Sequence, residues 1–242
     1  MSTLSPNQSP TWPGLAWLSV ALAGAVAPAT AIILLADALD PAMLATASGP
    51  ILSVALMGAG MIAAAAVGRL WVGIALAILA GLGLIGLALI VGMPSLSHPL
   101  SALFAFVVAS LSFAARGTLF AISAGSRGWW IAIFVVAGEA AIILSAWVEP
   151  GLWPDWLLAL LPAQWANMAI QTALTGTGTL AASAPLIALG GTAAATLLVA
   201  RLWPRRWPYA IMFTTWIALS ALVYHQPGIG PTEGMPVAAD FR

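Results

Sequence analysis

The chain has 242 residues, 62% of them hydrophobic and 6% charged, with zero formal net charge and a mean hydropathy of +1.05. A water-soluble domain carries about a quarter of its residues as charges, so seven arginines and seven acids cannot keep this chain wet. With no Cys, no Lys and no basic run, disulfides, thiolate metal sites and Schiff-base linkages are excluded, and nothing suits nucleic acid.

Crossing the ~30 Å hydrocarbon layer takes about 20 apolar residues as a helix, and lipid demands that backbone polar groups be satisfied internally. No period-2 alternation signals a barrel. The expected fold is therefore all-α, a polytopic transmembrane helical bundle of about seven spans. Residues 1–13 form a polar tail without a basic residue, and the apolar run at 14–36 reads as a retained span rather than a cleaved leader. Further spans are expected at 44–67, 71–93, 100–124 and 129–147.

Segment 153–178 breaks the pattern. Trp153-Pro-Asp-Trp opens it and Pro162 interrupts it. Gln164, Asn167 and Gln171 fall three and four residues apart, on one helical face, with Leu158, Leu161, Trp165 and Met168 making much of the apolar side. A short re-entrant or interfacial helical segment on the outer face is expected here, with the three amides as an outer-face polar strip. Spans at 179–200 and 208–224 and a tail at 225–242 complete the chain, so 14–224 is expected to be a single transmembrane domain.

Orientation follows from the arginines. With the N-terminus in the cytoplasm, the inner connections hold Arg69, Arg127, Arg201, Arg205 and Arg206. The outer ones hold Asp37, Asp40, Glu149 and Asp155 and no arginine, as the positive-inside rule requires. Arg242 alone falls outside, near the end of the tail. Most tryptophans lie at span ends, where an amphipathic ring anchors at the headgroups. Trp216 alone is mid-span.

Two ionisable residues sit inside apolar runs. Arg116 lies ~12 Å of helix from the inner end of the fourth span and Glu139 ~15 Å into the fifth. An unpaired charge at such depth costs at least about 2.5–3.5 kcal/mol on insertion scales. The two are therefore expected to form an intramembrane polar pair, either a structural clasp or a gate that opens when the pair breaks. Gly60, Ala64 and Gly68 recur every fourth residue, the spacing of a helix-packing face, within the chain or in a homodimer. Asp37 and Asp40 read as solvated. His98 and His225 stand without a carboxylate pattern, so neither a metal site nor a cofactor is expected. No nucleophile and base converge, and no enzyme is expected.

Residues 100–206 resemble the second half of an ABC-2-type membrane permease. Ser110-Leu-Ser-Phe-Ala-Ala-Arg-Gly-Thr-Leu is similar to that family's fourth span. Trp153-Pro-Asp-Trp-Leu with Leu160-Leu-Pro is similar to its re-entrant element, and Leu197 to Arg206 to its closing span. The resemblance implies a permease-like subunit in a bacterial inner membrane, passing or gating a lipid-like or small solute. Its implied partner, besides the lipid bilayer, is a cytoplasmic nucleotide-binding ATPase subunit. The alternative, favoured by small-residue faces and short loops, is a non-transporting scaffold or assembly subunit bound to other membrane subunits.

Overall fold

The computed structural model describes residues 12–176 and 182–225, which form ten α-helices and no strand. Most of both expected tails and the start of the sixth expected span lie outside the described residues. The first rod consists of α1 (Trp12–Ala21), a π-helical turn (Leu22–Val26) and α2 (Ala27–Ala38). Pro28 explains the change of register: it has no N–H to return to the preceding turn, and its ring crowds the carbonyl there. The widened turn lays Gly24 against α3, where an added Cβ would stand 2.7 Å from Ala59 Cβ.

Helix α3 (Pro41–Val67) is the hub, with 19 of its 27 residues buried. It packs against α1, α2, α4 (Leu70–Ile90), α5 (Pro99–Ala124), α6 (Gly128–Val148) and α8 (Pro162–Thr175). Its start is sharply set: Asp40 accepts the Met43 N–H at 2.8 Å and Pro41 opens the first turn. Asp40, expected to be merely solvated, is thus a helix cap. Gly68 ends α3 in the left-handed region at φ 69°, so it stops the helix rather than extending the packing face. Its would-be partners do pack. Ala64 and Gly60 stand where α3, α4 and α5 meet, and a Cβ added to Gly117 of α5 would run into the Met61 carbonyl.

Helices α5 and α6 are joined by a 3₁₀ turn, Gly125–Arg127. Short α7 (Asp155–Ala159) and α8 follow, then α9 (Ser183–Arg201) and α10 (Trp207–Tyr224). Among the described residues, six stretches are long and apolar enough to cross a membrane, the longest being residues 99–148, which contains both α5 and α6. The outward faces agree with a lipid setting: Leu34, Leu79, Ile90, Phe134 and Ile217 are exposed. This is a membrane-embedded helical bundle. Arg69, Arg127 and Arg201 lie at helix ends where the chain turns, and Arg205 and Arg206 in the turn before α10.

Candidate functional site: a hairpin that stops inside the bundle

Beyond α6 the chain folds back on itself. Gly151 takes a left-handed turn at φ 88°, and Trp153 Nε1 donates to Ser145 Oγ at 2.8 Å, fastening the returning segment to α6. After the single turn of α7, Pro162 opens α8, where its missing N–H removes no helical bond. Leu161 precedes it and supplies no side-chain cap.

The cap comes from another helix. Glu139, near the middle of α6, accepts the Ala163 N–H on Oε2 at 3.0 Å. Its Oε1 accepts from Arg116 Nη1 of α5 at 3.1 Å. One carboxylate therefore ties α5, α6 and the start of α8 together. It is also favoured by the positive end of the α8 dipole. Arg116 lies over the Phe113 ring, 5.4 Å from its centroid. Its Nη2 is buried and meets no acceptor among the described residues.

Two indoles complete the tip. Trp216, in the middle of α10, donates to the Leu160 carbonyl at 3.1 Å. Trp165 donates to the Ala159 carbonyl at 2.8 Å. Lipid cannot hydrogen-bond backbone that lies outside a helix, so irregular chain at mid-bundle depth persists only where protein satisfies it. Here Glu139, Trp165 and Trp216 do so, group by group. The tip contacts the middles of α6 and α10, so residues 149–176 form a hairpin whose tip lies inside the bundle, with α7 leading in and α8 returning.

Helix α8 is buried among α3, α5 and α9. It packs inside the bundle rather than on its surface. The reason is composition: Ala163, Ala166, Ala169 and Ala173 give it a thin, fully packable side. Its amides find partners within the bundle. Gln171 Nε2 donates to the Thr46 carbonyl of α3 at 3.1 Å, which has lost its helical partner because residue 50 is proline. Asn167, 7% exposed, donates to Gln164 Oε1 at 3.2 Å. Gly49 makes room for both amides; a Cβ there would strike Gln171 and Asn167. At the far end, His98 Nε2 donates to the Gly176 carbonyl at 3.3 Å.

The structure thus brings Arg116 and Glu139 together, turns Gln164, Asn167 and Gln171 inward, and uses His98 as a tether. His225 is exposed. Among the described residues no three His, Cys, Asp or Glu side chains gather as for a metal ion. Pro50, Gly49 and Trp216 are the site residues that spacing alone did not single out. Two signals were present: a proline within a long apolar run orphans a carbonyl, and an indole N–H deep in lipid needs an acceptor.

A separate groove of about 400 Å³ runs between the first rod and α6, with α3 as its floor. Leu22, Ala27 and Pro28 line one side, Ile51 and Val54 the floor, and Val136, Ala140 and Leu144 the other side. It flanks the π turn and lies on the α6 residues either side of Glu139. Compared with known protein families, curated proteins and solved structures, the chain matches none.

Proposed function

We propose that the chain is a permease-like integral membrane subunit, with the span order of an ABC-2-type exporter, that passes or gates a lipid-like solute. It crosses the bilayer seven times, counting α5 and α6 separately, with its N-terminus in the cytoplasm of a bacterial cell. The observation that carries this reading is the hairpin tip, where a helix begins inside the bundle with its N-terminus stoppered by Glu139 and clasped by Arg116. Broken helices meeting at mid-membrane are the usual architecture of transporter binding sites. The apolar groove beside α6 supports a lipid-like solute, since its ~400 Å³ falls within the range of ligand pockets and its lining offers almost nothing to a polar one. In this reading the Arg116–Glu139 pair is the gate.

A scaffold is the second reading, favoured by one feature: only Gly68 and Arg69 separate α3 from α4, leaving little at that point for an ATPase to grip. Mild-detergent purification from native membranes, with mass spectrometry of what co-purifies, separates the two. A stoichiometric nucleotide-binding ATPase, with faster transbilayer movement of a fluorescent phospholipid in vesicles containing the complex, is the expected result. A stable complex without an ATPase, and no lipid movement, would establish the scaffold instead.

A further inference from the structure

We propose that the turn between α9 and α10, from Arg201 to Trp207, is a binding site for the headgroup of an anionic phospholipid. The inference needs only a bundle embedded in a bilayer and is independent of what the chain transports.

The position of the turn follows from the helices it joins. Both α9 and α10 are long and apolar enough to cross a membrane, so the short connection between them lies at headgroup depth. Trp203 and Trp207, 40% and 54% exposed, flank it with the ring that favours that depth. The Trp203 ring is held edge-on against Tyr209 of α10, with 6.1 Å between centroids. Between and beside the indoles stand three guanidiniums: Arg201 in the last turn of α9, and Arg205 and Arg206 just ahead of α10. All three are exposed.

The chain's own acids do not answer these charges. Among the described residues the one ion pair is Arg116 with Glu139. Asp40 caps α3, Asp37 ends near it on α2, and Glu149 and Asp155 lie between α6 and α7 or at its start. Helix α10 has no acid in its first turn. The counter-ion must therefore come from outside, and the bilayer offers one at this depth. A guanidinium presents a planar fork of N–H donors that engages two phosphate oxygens at once. A zwitterionic headgroup brings a cation of its own, which three arginines repel; an anionic one does not. A soluble anion would supply charge but no acyl chain for the indoles to lie against. An acidic protein would meet the arginines from the water and leave both indoles unused.

The full chain, purified and stripped of lipid in mild detergent, is titrated with phosphatidylglycerol or with phosphatidylcholine of the same acyl chains. Bound lipid is counted by native mass spectrometry. Tighter binding of phosphatidylglycerol is expected, weakening as sodium chloride screens the exposed arginines. Arg205→Gln with Arg206→Gln should weaken it on the order of fivefold for each arginine removed and leave phosphatidylcholine binding unchanged. Arg69→Gln with Arg127→Gln removes as much charge from two other turns and should do far less. Equal losses in the two double variants would mean diffuse charge rather than a site and would overturn the proposal. So would a wild-type chain that does not distinguish the two lipids, a result that needs no variant to fold. Phosphate should compete no better than chloride at equal ionic strength; displacement by phosphate alone would assign the turn to a soluble anion. A double variant that keeps its phosphatidylglycerol but loses a protein co-purifying from native membranes would assign it to that protein instead.

Discussion

At Glu139 a single carboxylate is both counter-ion and helix cap, and the two roles separate by mutation. Arg116→Leu leaves a buried carboxylate without its partner, a loss of about 3–5 kcal/mol for pairs of this kind. Arg116→Leu with Glu139→Leu removes both charges and leaves only the Ala163 N–H unmet, about 1–3 kcal/mol. The double variant should therefore unfold at a higher temperature in detergent than Arg116→Leu alone. Simple additivity would show that the two side chains are not coupled. Gln171 gives a second cycle. Gln171→Ala orphans the Thr46 carbonyl and should cost about 1–3 kcal/mol, whereas in a Pro50→Ala background the new N–H at residue 50 takes that carbonyl. Most of the loss should then disappear; an unchanged loss would show that Gln171 acts by packing. Arg116 and Glu139 stand out in the sequence because a charge in an apolar run demands a reason. Their third partner, a backbone N–H two dozen residues away, is not legible, because every residue carries one.

Helix boundaries and the order of long helices follow from hydropathy, prolines and glycines, and here the chain is easily read. The exception is α8. Its length and its Pro162 start are visible in the sequence, but amides three and four apart suggest a wet face. What turns that face inward lies on a different element, where Ser48-Gly49-Pro50 supplies both a gap and an unmet carbonyl. A similar distinction holds among glycines. Gly117 sits against the Met61 backbone, whereas Gly83 of α4 has nothing within 4 Å of an added Cβ. Gly117→Ala should lower stability by about 1–3 kcal/mol through overpacking. Gly83→Ala should be neutral or stabilising, since alanine is the better helix former. Thermal unfolding of the two variants side by side checks this, and equal effects would mean that α3 and α5 are not in close contact.

For the whole molecule, the arginines make a sharp prediction about orientation. Ser123→Cys, beside the 3₁₀ turn bearing Arg127, should react with a membrane-impermeant maleimide only from the cytoplasmic side of sealed vesicles. Thr175→Cys, at the other end of α8, should react only from the opposite side. The reverse pattern would invert the molecule. The hairpin also constrains how the chain can be made. Its tip is held from behind by Glu139, synthesised earlier, and from ahead by Trp216, fifty-six residues later than the carbonyl it serves. A ribosome that has finished α8 has therefore not yet made the indole that meets the Leu160 carbonyl. The nascent protein must wait, with an unfinished bond at its centre, until α10 is inserted. A chain cut short before α10 would carry that defect permanently, and membrane quality control would have a specific flaw to detect.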